Sequence, residues 1–283
     1  VLENKLQAFQ VGIDALAKLT SGKVHLSVKG KGKSIFKDVK GVSLHQVYGP
    51  HPAGNVGVQI GKISPINAGE RVWTVTPQDV ATIGELFLTG KFNATRTVAL
   101  VGSEVKDAQY YNVISGAAIA DLVAGKIEGD NVRVISGDVL TGTKVKMDGN
   151  LGFLSNTVTV IPEGNVYRMF GWMPFASPSV HSASRTGLSW LMPGKKYAPN
   201  TNLNGEERAL VVTGEMEAVM PLDIFPMQLL KACLASDIDK MESLGIYEVA
   251  PEDFALIDYT NTSKLEAQQI IREALDLMIK EVG

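Results

Sequence analysis

The chain contains a single cysteine, Cys233, in 283 residues. One cysteine excludes an intrachain disulfide and points to a cytosolic setting. With no C-x-x-C present, an iron–sulfur cluster held by the chain's own thiolates is also excluded. No apolar run approaches the roughly 18 residues that a membrane-crossing helix requires. The nearest, Ile224 to Ala235, is broken by Gln228 and Lys231. Positive charge is not in excess either. The net charge is −3, from 27 basic and 30 acidic side chains, which leaves no overall electrostatic footprint for nucleic acid. The opening VLENKLQAFQ lacks the basic region and apolar core of a signal peptide. It also lacks an initiator methionine, which reads as a piece of something longer. What is present is an ordinary folding composition, 45% hydrophobic and 20% charged, at a length that suggests about two domains.

Periodicity predicts the following elements. Leu6, Phe9, Ile13 and Leu16 share one helical face, so residues 3–19 form an amphipathic helix ended by Ser21 and Gly22. The alternation of Val24, Leu26 and Val28 makes 23–29 a strand, and a second short strand lies near 42–48. TPQD, 76–79, starts a helix, with Thr76 as N-cap, Pro77 at the first helical position and Asp79 placed to cap back. Val80, Ile83 and Phe87 form its expected buried face, and Gly90 ends it. The first part is thus an α/β layer, with too few strands for a complete doubly wound domain. Residues 96–102, 131–142, 156–161 and 166–172 read as strands and turns around a short helix closed by Gly125, a mixed α+β unit. Residues 174–205, rich in Pro, Ser, Gly and Asn, read as a long loop or hinge. The last part is helical. It comprises a Pro-interrupted helix in 220–235, capping-box patterns at SDID (236–239) and SKLE (263–266), and a final helix with Ala267, Ile270, Ile271, Ala274 and Met278 on one stripe.

Two glycine-rich stretches invite a nucleotide-binding reading, and both fail on spacing. VKGKGKS, 28–34, ends like a phosphate-binding loop, but the first glycine of G-x-x-x-x-G-K-S would fall on Ser27. It reads as a flexible basic loop. In GPHPAGNVG, 49–57, the glycines Gly49, Gly54 and Gly57 do not form G-x-G-x-x-G, and Pro50 and Pro52 remove amide donors. The stretch reads as a rigid turn that sets the entry of a helix near Asn55, in which Gly54 or Gly57 adopts a conformation other residues resist. The alternative is a docking surface for a partner or ligand, with His51, Gly54, Asn55 and Gly57 as the candidates for docking or cofactor contact. No metal site is expected: His25, His45, His51 and His181 are scattered, without metal-ligand spacing. No catalytic residue is assigned. Ser179, His181 and Ser184 lie in a hydroxyl-rich stretch without a nucleophile elbow. Cys233 lies among leucines on a helix, as a buried structural thiol.

Several strings, in order, resemble one family. They are GPHPAGNVG (49–57), ELFLTG (85–90), VRVISGDVLTGT (132–143), FGW (170–172), VMPLDIFP (219–226), LGIYEVAPEDFAL (244–256) and the closing KEVG (280–283). Together they identify the chain as resembling the C-terminal portion of the A-subunit family of the bacterial Na+-translocating NADH:quinone oxidoreductase. The resemblance implies that a biotinyl-lipoyl-like region and half of a Rossmann-like domain precede this segment. It implies a partial Rossmann-like α/β region at 1–94, a β-grasp, ligand-binding-like module at 95–173, a loop or hinge at 174–205 and a helical domain at 206–283. It further implies a peripheral, cofactor-free component on the cytoplasmic side of the inner membrane, partnered by the other subunits and linked to quinone. NADH and ubiquinone are then substrates of the whole complex. The architecture resembles the flavin subunit of respiratory complex I, yet the cluster cysteines and the glycine-rich flavin segment are missing. Two alternatives remain, an autonomous flavin- or nicotinamide-dependent oxidoreductase and a stand-alone β-grasp ligand-binding module.

Overall fold

The computed structural model describes residues 1–165 and 180–282 of a mixed α/β chain. The strand expected at 166–172, the FGW string, Ser179, residues 174–179 of the long loop and the final Gly283 lie outside the described residues.

The first part opens with a 3-10 turn, Glu3–Lys5, leading into α1 (Leu6–Leu16). Strands β1 (His25–Lys29) and β2 (Ser43–Val47) pair in parallel, from His25 opposite Ser43 to Lys29 opposite Val47. Helices α2 (Val56–Ile63) and α3 (Pro77–Thr89) follow. Phe9, Ile13, Val80 and Ala81 form a core between α1 and α3. The two helices approach so closely that glycine is needed on both. A Cβ on Gly12 would lie 2.1 Å from the Val80 carbonyl oxygen, and one on Gly84 would lie 1.7 Å from that of Ala8. Helix α3 begins as expected: the Asp79 amide donates to the Thr76 hydroxyl, Pro77 is first, and Gly90 closes with a left-handed φ of 69°. Two expectations need correction. Phe87 is 67% exposed, because the buried face of α3 is the Val80–Ala81–Gly84 side that meets α1. The Asp79 carboxylate takes the Thr76 hydroxyl at 2.6 Å and the Arg96 guanidinium, rather than capping back to backbone.

The second part is a five-stranded mixed sheet. It contains β3 (Thr95–Val101), β4 (Gln109–Ile114), β5 (Val132–Ser136), β6 (Thr143–Val145) and β7 (Thr157–Pro162), with helix α4 (Ile119–Val123) between β4 and β5. Their order is β4-β3-β7-β5-β6, and only β3 and β7 run parallel. Val98, Leu100, Val134, Val158 and Val160 face Ile119, Leu122 and Val123 in its core. Strand β4 carries no pattern that the periodicity reading used. It is an edge strand, with Tyr110 73% and Ile114 67% exposed.

The third part has α5 (Pro226–Leu234), α6 (Ile238–Ser243), α7 (Ala255–Thr260) and α8 (Ala267–Glu281) around a methionine-rich core. Proline starts α5 rather than interrupting it, because Pro226 occupies the first turn, where no amide bond is lost. Asp237, not Ser236, caps α6. The SKLE pattern does not cap α8. Instead Asp258, on α7, accepts the amides of Ala267 and Gln268. The expected stripe on α8 holds at Ala267, Ile271, Ala274 and Met278, which are buried. In the long loop, the described residues have regular structure only in the 3-10 turn Leu188–Leu191. No described helix is long and apolar enough to cross a membrane.

Candidate functional site

The 49–57 stretch folds as consecutive turns that use their own amides. Ala53 donates to the Pro50 carbonyl at 3.0 Å and Asn55 to that of Pro52 at 2.8 Å; the His51–Pro52 peptide is cis. Gln59, one turn into α2, donates back to the Gly54 carbonyl at 3.1 Å. Asn55 occupies the N-cap position of α2 with extended backbone, as the sequence suggested. The left-handed residue in the stretch is Gly49, with a φ of 123°. Neither Gly54 nor Gly57 adopts a positive φ, which corrects the expectation that one or the other would. A Cβ on Gly54 would meet nothing within 4 Å. On Gly57 it would lie 2.4 Å from both carboxylate oxygens of Asp253. Gly57 is thus held to glycine by close approach.

That contact places the stretch against the helical part. The Asn55 side-chain amide reaches the Glu252 carbonyl at 3.5 Å, and a Cβ on Gly61 would press on Leu222. Asp253 is 3% exposed and accepts the Ala250 amide at 2.9 Å. Burial pushes its carboxyl above the ordinary value; the Ala250 amide offsets part of this, and the neighbouring Glu252 charge adds to it.

The β5–β6 turn joins the same junction. Asp138 accepts the Leu140 amide at 2.7 Å, the Thr141 amide at 3.0 Å and the Thr141 hydroxyl at 2.9 Å. Burial pushes the Asp138 carboxyl up. The two amides, the hydroxyl and the nearby His51 imidazole outweigh that and hold it below its ordinary value. Gln268 of α8 spans from the turn to α7, donating to the Leu140 carbonyl at 2.9 Å and to Asp258 at 2.8 Å. Burial raises the Asp258 carboxyl, and its bonds to Gln268 and to the Ala267 and Gln268 amides offset part of the rise. Three of the strings that carried the resemblance, GPHPAGNVG, SGDVLTG and APEDFAL, therefore meet at one place. Asp138, Asp253, Asp258 and Gln268 were not singled out from sequence. The contacts that bring them to the junction, Gln268 to the Leu140 carbonyl and Asp253 to Gly57, join residues far apart in the chain, and only the DVLTG turn carried a local signal.

The remaining candidates separate. In VKGKGKS, a Cβ on Gly30 would run into the Tyr48 ring at 2.1 Å, so that glycine makes room for an aromatic ring. His181 pairs with the Tyr259 hydroxyl at 3.0 Å, and Ser184 with Thr186 at 3.0 Å, so these two do not face each other as a base and nucleophile. His25 and His45, scattered in sequence, are brought together across β1 and β2, with ring nitrogens 2.9 Å apart. No group of three or more His, Cys, Asp or Glu side chains is arranged to hold a metal among the described residues. Cys233 is buried, and burial pushes its thiol up to about 11, which disfavours the reactive thiolate.

Residues 1–92 match the NqrA second alpha/beta domain, and residues 97–147 match the NQRA C-terminal domain. The A-subunit of the Na(+)-translocating NADH-quinone reductase of Neisseria meningitidis serogroup B is 36% identical over 282 residues, 99% of this chain. That of Serratia proteamaculans is 38% identical over 283 residues, and that of Vibrio campbellii 36% over 284, each again covering 99% of this chain. The chain belongs to the NqrA family. It spans 63% of the length of each of these relatives. The NqrA relatives are named as one component of a reductase, which does not favour an autonomous oxidoreductase or a stand-alone binding module.

Proposed function

We propose that this chain forms part of a peripheral subunit of a membrane redox pump that oxidises NADH, reduces ubiquinone and exports Na+. It acts there from the cytoplasmic face, without a cofactor of its own. The observation that carries this reading is the match along 99% of the chain to proteins named as the A-subunit of that reductase. The 49–57 junction supports a mechanical role within it. Its amides and carboxylates are engaged with one another, and its prolines and glycine spacing do not suit a phosphate. The segments divide as a partial Rossmann-like region at 1–94, a β-grasp-like module at 95–173, a connecting loop at 174–205 and a helical domain at 206–283. Separate buried cores within residues 9–81, 98–160 and 216–278 support that division.

The test is a chimera in which this chain replaces the matching portion of a relative's NqrA, in a strain lacking that protein. Its membranes should recover Na+-dependent NADH:quinone reduction and Na+ uptake into inverted vesicles. Recovery of neither, with the chimera present and folded, overturns the reading. An ultraviolet–visible spectrum of the purified chain with a flavin or cluster band would overturn its cofactor-free part.

A further inference from the structure

Positive charge is concentrated in one short region of this mildly acidic chain. Between residues 15 and 69 stand eight lysines, no arginine and one acidic residue, Asp38, although the whole chain is net −3. Lys29 closes β1, and Lys31, Lys33, Lys37 and Lys40 fall in the connection from β1 to β2; all five are exposed. None of them has a carboxylate within 4 Å among the described residues.

The loop that carries these charges is anchored. The Phe36 ring packs on Phe9, with centroids 4.6 Å apart, and Val39 joins the same core. Gln10 of α1 accepts the Lys40 amide at 2.9 Å and donates to the Lys40 carbonyl at 3.1 Å. The Lys37 ammonium donates to the Gly32 carbonyl at 3.2 Å, holding the glycine turn over the loop. Packing the aromatic inward leaves Ile35, which lies between Lys33 and Lys37 in the sequence, 38% exposed. Concentrating unpaired like charges works against the compact state through self-repulsion, so their presence on a fixed loop calls for an external partner.

We propose that this anchored lysine loop binds anionic phospholipid headgroups, holding the chain's α/β part against a membrane surface. The inference rests on the reading of the chain as a peripheral component of a membrane complex. Lipid is favoured over an acidic protein face by the residue type and the shape. Lysine acts as a point charge suited to a diffuse layer of phosphates, whereas fixed, bidentate recognition of carboxylates favours arginine, which this region lacks. An exposed Ile35 with lysines on either side in the sequence suits the headgroup boundary, where apolar and basic side chains act together.

The full chain is tested by flotation with vesicles of phosphatidylcholine alone and with vesicles also containing phosphatidylglycerol. Soluble polyglutamate serves as the acidic-polymer control. The expected result is binding to the anionic vesicles only, lost at high salt as the charges are screened. Each of Lys29→Gln, Lys31→Gln and Lys33→Gln should lower partitioning about fivefold. The salt arm needs no variant and so does not depend on their folding. Equal partitioning onto both vesicle types, no partitioning onto either, or binding to polyglutamate but not to vesicles would each overturn the inference. Failure here in a chain whose chimera pumps Na+ would leave the functional reading standing. Lipid binding in a chain whose chimera does not pump would support the loop assignment and count against the functional reading alone.

Discussion

Two of the joints between the three cores are built in opposite ways. Where α3 meets the sheet, the joint is charged. Arg96, 6% exposed on β3, reaches Asp79 on α3, the Asn156 side chain at 2.6 Å and the Leu154 carbonyl at 3.1 Å. Gln78 adds a paired amide contact, donating to the Thr97 carbonyl at 3.0 Å and accepting its amide at 3.1 Å. Where α2 meets the helical part, the joint is made by omission: Gly57 and Gly61 lack the side chains that would collide with Asp253 and Leu222. A charged joint depends on every partner being present, since a buried ion left alone is costly. A close-packed joint depends on nothing being added. The two should therefore fail under different substitutions.

The largest effect is expected at the charged joint. Arg96→Met removes one side of a buried pair and strands Asp79, Asn156 and the Leu154 carbonyl. It should cost about 3 kcal/mol or more in chemical unfolding. Adding Asp79→Leu should recover much of that loss, because the stranded charge is then gone. If the double variant is no better than the single one, Arg96 is held by packing and the contrast between the joints collapses.

At the packed joint, Gly57→Ala should cost about 2 kcal/mol, since the new Cβ must displace a buried carboxylate or open the contact. Gly54→Ala, three residues away, has open space and no positive φ, and should be neutral or stabilising by up to about 1 kcal/mol. Asp253→Ala should relieve the cost of Gly57→Ala specifically. Thermal melts that rank Gly54→Ala below Gly57→Ala would show that backbone conformation, not close approach, governs this turn.

Local features were legible in the sequence and the joints were not. Thr76, Pro77 and Gly90 bound α3 because a cap, a first-turn proline and a left-handed closing glycine act within a few residues of one another. The stripe on α8 was legible because one continuous core covers it. Phe87 misled, since its period fits the helix while the partner helix covers only the other side. Strand β4 went unseen because an edge strand buries little. The N-terminus of α8 is capped by Asp258 from another helix, and Gly57 is fixed by Asp253, which is nearly two hundred residues away in the sequence. Neither leaves a local pattern. The candidate stretch at 49–57 was found from its composition, but its role came from residues that the composition did not mark.

Acid should separate charged ties from packed ones more gently than substitution does. Glu163, at the end of β7, accepts Arg133 and Lys144 and the Thr201 hydroxyl at 3.0 Å, and Thr201 in turn accepts the Gly164 amide at 2.6 Å. The Arg133 hydrogen bonds lead in holding its carboxyl down at about 2; burial opposes them, and Lys144 and Thr201 assist. A depressed carboxyl contributes stability that is present above its ordinary value and lost as pH falls from there through about 2. Asp253 and Asp258 have raised values, so their burial cost disappears on protonation, and acid does not weaken the packed joint through them. Hydrogen exchange at the Gly164 amide should therefore lose protection across that window, and Glu163→Gln should flatten the change. A Gly164 amide indifferent to pH in the wild type would show that the clamp does not hold the loop.

The smallest effect is expected at His51, on the exposed rim of the packed joint. His51→Ala removes no buried contact and should change stability by no more than about 0.5 kcal/mol. Its one electrostatic consequence is at Asp138, where the imidazole is the last and smallest of the influences that oppose burial. Without it the Asp138 carboxyl should rise slightly, yet stay below its ordinary value, because the Leu140 and Thr141 amides and the Thr141 hydroxyl remain. A carboxyl-detected NMR titration of wild type and variant reads this directly. Calorimetry with NADH and with flavin nucleotide, on the same pair of proteins, then decides what the stretch is for. A turn that only joins two parts of the fold should show no binding in either protein. Binding that the wild type shows and His51→Ala abolishes would make the stretch a nucleotide site after all, and the packed joint would be its scaffold.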